Sequence, residues 1–477
     1  MDAETFRRLG HQWVDWVADY RTRMESLPVM SSVAPGDIRA RLPASPPRDG
    51  GQMESAFALV ERDILPGITH WNHPSFFAYF PSNTSFASVL ADLVAAGLGA
   101  QGMSWQTSPA VTEVEEVAMD WLRQMVGLPD SFTGVIQDTA STATLTALLC
   151  ARERTTDLAQ LRGGLQGREA PLTIYTSELA HSSVRKAALL AGFGADHLRT
   201  VPVAADLSMD VAALAAAIDR DRAAGLVPCA IVATAGTTGA TAFDPLASIA
   251  EVAQRGGLWL HVDAAMAGSA MILPEARPLF AGIERADSLV FNPHKWLGVG
   301  FDFSAYYVRD AEHLVRVMGT QPAYLRTVQD GAVKNYRDWH IQLGRRFRSL
   351  KLLFVLLDTG VEGLEARLRR DLENARWLAD RVRETSDWEL LAPVPLQTLC
   401  IRHVPAARAG DADWLDAHNA KIAAELAASG LAYLTTDVLR GKRVLRVSVG
   451  AEATEERHVA ALWTELQRLA RHDEGAA

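Results

Sequence analysis

With 477 residues, 48% of them apolar and 22% charged, the chain is long enough for two or three domains with large buried cores. Its net charge of −10, uncompensated by any basic stripe, argues against a nucleic-acid partner, whose phosphates demand a basic face. Three separated cysteines without CxxC spacing (Cys150, Cys229, Cys400), a start without an apolar signal core and no membrane-length apolar run point to a cytoplasmic location.

Residues 2 to 25 read as an amphipathic helix, with Leu9, Trp13, Trp16, Val17, Tyr20 and Met24 near one face. So aromatic a stripe needs a partner surface, either within the chain or on a second subunit. Residues 28 to 50 carry five prolines and end in glycine, which predicts an extended connector, and a helix is expected from about Met53 to Leu65. Next comes THWNHPSFFAYFPSN, residues 69 to 83. His70 and His73 lack a third ligand at sensible spacing, so an ordinary loop is expected there and no metal. Tyr79 and Phe80, backed by Pro81, are suited to burying an aromatic ring.

From Phe86 to Ala100 the pattern is helical, and Gly97, Gly99 and Gly102 spell the G-x-G-x-x-G of dinucleotide binding. That fingerprint needs a strand before it and a helix starting at it. Here a helix precedes, and the next begins only at Ser108-Pro109, so a nicotinamide cofactor is rejected. The segment from Gly134 reads as strand, turn, helix and would put Thr139, Ala140 and Ser141 at a helix N-terminus, where an anion such as a cofactor phosphate is attracted. Plain N-capping by Thr139 or Ser141 explains the same letters equally well.

Between 171 and 310, strand-like runs alternate with helical stretches, which predicts an α/β domain with a mostly parallel sheet. Asp244-Pro245 reads as a helix start. Just beyond strand ends fall His181, then Thr234, Thr237 and Thr238, then Asp263, and finally Asn292, Pro293, His294, Lys295 and Trp296. A lysine leaving a buried strand favours the free amine, the form that attacks a carbonyl to make a Schiff base; the bland reading is a snorkelling lysine at a strand end. A buried Asp263 would keep the pyridine nitrogen of pyridoxal phosphate protonated, and Ala265 is small enough to let that ring lie flat. Residues 317 to 340 are polar and flanked by glycines, as in a mobile lid, and 341 to 360 read as a long helix between two domains. Beyond Gly360 a small α+β domain is expected, with WELLAP, LQTLCIRH, LAYLTT and VLRVSVG as strands.

Taken together, HVDAA at 261 to 265, NPHKW at 292 to 296 and WNHPSFFAYFP at 71 to 81 resemble the group II pyridoxal phosphate-dependent amino-acid decarboxylases, most closely the aromatic L-amino-acid decarboxylases. The resemblance implies a fold type I, aspartate aminotransferase-like enzyme: a helical dimerisation segment (1–85), a large cofactor-binding domain (86–358) and a small C-terminal domain (359–477). It implies that Lys295 carries the cofactor and Asp263 charges its ring. His181 stacks on that ring, and Thr139, Ala140, Ser141, Thr238, Ala265, Asn292 and His294 complete the cradle. Trp71, Tyr79, Phe80, Pro81, Ser82 and Gly344 would line the substrate pocket, with Gln101 and Met103 supplied by the neighbouring subunit of a homodimer. Tyr324 matches the loop tyrosine that returns a proton after carbon dioxide leaves; aldehyde-forming relatives have phenylalanine there. Two departures stand out. Ser82 replaces a common threonine, and Asp138 replaces a glycine beside the phosphate cradle, so its side chain is expected to point away from the phosphate. The implied reaction is decarboxylation of tyrosine, dihydroxyphenylalanine, tryptophan or hydroxytryptophan. A histidine or phenylalanine decarboxylase, an aminotransferase, an aldehyde-forming enzyme and a non-catalytic scaffold are the alternatives.

Overall fold

A computed structural model describes residues 1–51, 53–167, 169–320 and 331–474, with side chains to Arg471. By contact the chain divides into two compact units. One comprises Met1–Pro81, Arg376–Leu391 and Cys400–Ala477; the other comprises Ser82–Ala375 and Ala392–Leu399.

The second unit is built on seven strands: β1 (Thr133–Gln137), β2 (Leu172–Ser177), β3 (Leu198–Val201), β4 (Val227–Thr234), β5 (Trp259–Asp263), β6 (Ser288–Phe291) and β7 (Ser304–Val308). Their order is β1-β7-β6-β5-β4-β2-β3. From β3 across to β6 every pairing is parallel, and β7 runs antiparallel to both of its neighbours. β2, β5, β6 and β7 are buried along their whole length, as expected of strands covered on both faces. The helix Ala140–Thr155 lies over this sheet. Its Ala143, Ala147 and Ala151 share one buried cluster with Ile174, Val232, Trp259 and Val290. Small side chains on the helix let it approach the bulky strand residues closely.

Local chemistry explains most boundaries. Ser108 Oγ accepts from Val111 N–H and Pro109 opens the helix Pro109–Met125; Ser85 caps Phe86–Leu98, which Gly99 closes in the left-handed region (φ 59°). A helix therefore does precede the glycine string, and a Cβ on Gly102 would come within 2.4 Å of Val111 Cγ1. Gly102 thus serves packing and Gly99 the helix end.

The helix start read at Asp244-Pro245 holds, with Pro245 the cap and Leu246 the first helical residue, while the buried Asp244 carboxylate accepts from Thr234 N–H at 2.7 Å and Met209 N–H at 2.8 Å. Two local expectations need correction. The long helix begins at Ser349, not 341, and runs to Glu384 with a break at Gly360, whose φ of 67° only glycine adopts readily. The connector at 28 to 50 contains one short helix, Asp37–Arg41.

In the first unit, β8 (Trp388–Leu390), β9 (Thr398–His403), β10 (Thr435–Leu439) and β11 (Lys442–Ser448) form a sheet in the order β10-β11-β9-β8, whose strand β9 begins in the other unit. The third strand thus lies a few residues beyond the expected LAYLTT. The N-terminal helix, Ala3–Arg23, turns its aromatic face onto its own chain: Trp13 stacks on Phe57 with ring centroids 4.1 Å apart, and Tyr20 OH meets His70 Nδ1 at 2.7 Å.

Candidate active site

Sheet order alone collects most of the expected residues. Asp263 ends β5, in register with Thr234 on β4 and Val290 on β6, and beyond the strands Asn292 N–H donates to Ala265 C=O at 2.9 Å. β6 then passes into a single turn, Pro293–Trp296, that carries Lys295 half-buried. His181 follows β2, the strand beside β4. Histidine, aspartate and lysine thus stand at the carboxyl ends of neighbouring parallel strands, where open α/β sheets form their crevice.

The helix Ala140–Thr155 aims its N-terminus at the same end. Thr144, one turn in, meets His261 Nε2 at 3.5 Å, and His261 lies two residues before Asp263. Thr139 is the cap, its Oγ1 accepting from Thr142 N–H at 3.4 Å. The N–H groups of Ala140 and Ser141 are left without intrahelical acceptors. Asp138 was expected to turn away, yet its carboxylate stays at the helix start, where it accepts from Thr139 N–H at 2.8 Å and from Gln342 Nε2 at 3.4 Å.

Asp263 is 4% exposed. Its Oδ1 accepts from Ala265 N–H at 3.0 Å, and among the described residues no donor reaches Oδ2. Beside it, Thr234 Oγ1 is buried without a hydrogen-bond partner among the described residues. Buried acceptors left open in this way fit a ligand that brings its own donor, as a protonated pyridine nitrogen does. His181 Nδ1 accepts from Ser183 N–H at 3.2 Å, which places the neutral ring's proton on Nε2. The donor set therefore fits pyridoxal phosphate: backbone N–H groups for a phosphate, a carboxylate for a ring nitrogen and an amine for an aldehyde.

Several supporting residues gave no sequence signal. Asn83 Nδ2 holds the Lys295 carbonyl at 2.9 Å. Trp296 donates through Nε1 to Asp371 Oδ2 at 2.8 Å, deep in the core, where burial raises the carboxyl to about 6. Ser304 Oγ donates to Asn292 Oδ1 at 2.7 Å, and Phe303 N–H donates to His294 Nδ1 at 3.0 Å. Burial first, and the Lys295 charge second, pull the His294 imidazole down to about 3, so it is neutral at ordinary pH. Nothing in the local sequence announces a partner 75 residues away.

A second group of expected residues is tied together elsewhere in the same unit. Gln101 Oε1 accepts from Met103 N–H at 2.9 Å and Arg345 N–H at 3.2 Å. A Cβ on Gly344 would lie 3.4 Å from Gln101 Nε2, so Gln101, Met103 and Gly344 are neighbours. What anchors them is Arg345, 5% exposed, which grips Glu115 through two bonds of 2.7 and 2.8 Å and donates to Ile136 C=O at 2.9 Å. Ser82 begins this unit. Trp71, Tyr79, Phe80 and Pro81 belong to the other one, where Trp71 stacks on Tyr79 at 5.5 Å and the Arg446 guanidinium lies 4.7 Å over the Phe80 ring. Tyr324 falls outside the described residues. His73 Nδ1 accepts from Ser75 N–H, and among the described residues no three ligating side chains are placed to hold a metal ion.

Comparison with known proteins adds an independent line. The profile of the pyridoxal-dependent decarboxylase conserved domain matches residues 35–404. The chain is 41% identical to aromatic-L-amino-acid decarboxylase of Mus musculus, covering 98% of both chains. It is 39% identical to phenylacetaldehyde synthase of Arabidopsis thaliana, over 98% of this chain and 96% of that one. The crystal structure of Oryza sativa TDC with pyridoxal phosphate and tryptamine superposes with a TM-score of 0.96 at 37% identity, covering 99% of each chain.

Proposed function

The chain belongs to the pyridoxal-dependent decarboxylase family, and from that membership we propose how its residues divide the removal of carbon dioxide from an aromatic L-amino acid. It is a pyridoxal phosphate-dependent carboxy-lyase whose relatives act on tryptophan, tyrosine and their kin. When bound, pyridoxal phosphate supplies a carbonyl for an amine to join and a ring that draws electrons from the α-carbon. Lys295 provides the amine at the end of β6. Asp263 would hold the proton on the ring nitrogen through Oδ2, which no donor among the described residues reaches, and Ala265 N–H fixes the other oxygen so that the carboxylate keeps its aim. Ala140 and Ser141 hold the phosphate with backbone N–H groups, aided by the helix dipole and by Thr238. His181 covers the ring face with its protonated Nε2 toward the substrate carboxylate. Asn292 and His294 keep the turn of Lys295 in place. Tyr324 returns a proton to the α-carbon, which makes the product an amine.

Trp71, Tyr79, Phe80, Pro81, Ser82, Gln101, Met103 and Gly344 form the ring pocket in this reading. The enzyme works as a cytoplasmic homodimer with sites completed across subunits. Support for the dimer is the helix Phe86–Leu98, whose Phe86, Leu90, Leu93, Val94 and Leu98 form one exposed apolar face. The observation that carries the whole reading is the buried Asp263 carboxylate with one open oxygen, next to the strand that delivers Lys295. The protein loaded with pyridoxal phosphate is to be incubated with each aromatic amino acid and its products measured. Amine and carbon dioxide are expected; keto acid, or no product from any of them, would overturn the proposal. Replacing Tyr324 with phenylalanine is expected to shift the products from amine toward aldehyde, with dioxygen consumed as the two-electron oxidant and ammonia and hydrogen peroxide released; unchanged amine with no aldehyde would remove Tyr324 from its role.

A further inference from the structure

The stretch LGVGFDF, residues 297 to 303, joins the turn of Lys295 to β7 and folds back onto that turn. His294 N–H donates to Phe303 C=O at 3.4 Å, Phe303 N–H returns a bond to His294 Nδ1, and the Phe301 ring lies 4.8 Å from the imidazole. One side of the stretch is fastened to the residues that open the helix Phe86–Leu98. Ser85 N–H donates to Gly298 C=O at 2.9 Å and Gly300 N–H to Ser88 Oγ at 2.7 Å. A Cβ on Gly300 would lie 3.0 Å from both Ser88 Oγ and Thr84 Cγ2, so the approach is close.

The other side is held by a cation. Lys351, in the first turn of the helix Ser349–Glu384, is 1% exposed, and its Nζ donates to Gly300 C=O at 2.8 Å and to Asp302 C=O at 3.1 Å. Arg348, just before that helix, adds two bonds of 3.1 Å to the Asp302 carboxylate. Burial pulls the Lys351 ammonium down to about 8; the charges of Asp92 and Asp302 oppose that fall, and those of Arg346 and Arg348 add to it. The Asp92 carboxylate stands 3.9 Å away. An apolar side chain of the same length would fill this space without burying a charge, so packing alone does not call for a lysine. What the ammonium adds is two directed bonds, both to the stretch that leans on His294. Its charge reaches that ring as well: after burial and Lys295, Lys351 is a further cause of the imidazole's neutrality.

We propose that Lys351 is a positioning residue for the reaction: its ammonium holds the carbonyls of Gly300 and Asp302, so that the stretch 297–303 stays against His294 and keeps the neighbouring Lys295 in its aim. That Lys295 is the amine to be aimed rests on the function proposed above; the hold of Lys351 on the stretch does not. Lys351→Met keeps the length of the side chain and loses its donors, whereas Lys351→Gln keeps N–H donors without the charge. In the cofactor-free protein, hydrogen exchange at 296–303 is expected to be about tenfold faster in Lys351→Met and about threefold faster in Lys351→Gln, with exchange at β2 unchanged. Loaded with pyridoxal phosphate, Lys351→Met is expected to show a kcat lowered about tenfold at a KM within about twofold of the parent, because a misplaced amine slows chemistry more than binding. Parental exchange at 296–303, exchange raised as much at β2 as there, or an unchanged kcat would overturn the role. Should Lys351→Met not fold, Lys351→Gln decides by the same two readouts. A parent that decarboxylates no aromatic amino acid would sink the reading of the active site, while the exchange rates would still show whether Lys351 holds the stretch, so the two failures are distinguishable.

Discussion

The ends of β5 and β6 and the irregular segment from 335 to 348 both carry residues assigned to the active site, but they are held in different ways. At the strand ends, Asp263 and Lys295 stand no more than four residues from the ladder that aims them, and neighbouring strands bring them together. The segment 335–348 has no ladder. Its place is set by Arg345 on Glu115, 230 residues away, with the guanidinium 4.6 Å over the Tyr336 ring and Gly102 N–H donating to Arg345 C=O at 3.0 Å. A regular sheet orients its last residues as a by-product of folding, whereas an irregular segment needs a specific buried charge pair. Losses at the first region should therefore appear in chemistry, and losses at the second in stability.

The sharpest break of that contrast is Lys295→Ala. It is expected to lower decarboxylation by about a thousandfold or more and to remove the absorbance of cofactor joined to lysine, with an unchanged unfolding midpoint. Asp263→Asn keeps the shape but cannot stay anionic, and a fall in kcat of about a hundredfold with cofactor still bound is expected. At the other region, Glu115→Gln leaves Arg345 with an uncompensated buried charge and should cost about 3–5 kcal/mol in denaturant unfolding. The double change Glu115→Leu with Arg345→Met should recover most of that loss; if it does not, the pair does more than pack.

Titration tests both regions at once. Burial holds His261 and His294 at the strand ends, and His340 in the irregular segment, at about 3. Because these folded values lie below the ordinary 6.5, the stability they lend is complete above pH 6.5 and is lost as pH falls toward 3. Asp244 and Asp371 are raised by burial from 3.8 to about 6, so their contribution is complete below pH 3.8 and lost as pH rises through 6. Three groups against two predict an unfolding temperature that rises from pH 4 to pH 7. Asp371→Asn removes one opposing group and should steepen the rise, and a flat profile in both proteins would contradict the assignment. The smallest expected effect is at the helix start. Asp138→Asn takes a negative charge from beside the phosphate cradle and should tighten pyridoxal phosphate binding severalfold, measured by equilibrium dialysis.

What was legible in the sequence follows the same division. Alternating apolar runs marked β1 to β7, and the letters that follow them marked His181, Asp263 and Lys295, because a strand's side chains and its exit are coded within a few residues. The stretch IQLGRRF at 341 to 347 has a composition that passes for helix, and it was read as one. Tertiary structure overrode that pattern, since a guanidinium drawn down to Glu115 and an amide committed to Gln101 leave no room for helical pairing. Asp244-Pro245 before an apolar run did mark the helix start, but nothing local showed that the Asp244 carboxylate serves the buried N–H groups of Thr234 and Met209.

By itself, then, the sequence determined the class of sheet, the order of its chemical groups along the chain and the family to which they belong, all of which are short-range or cumulative properties. Only the tertiary structure decided which strand lies beside which, that one oxygen of Asp263 is committed and the other open, and that Asp371, Glu115 and Asn83 support residues far from them in sequence. Buried polar groups must find partners wherever the fold brings them, and that search is not written in any local pattern.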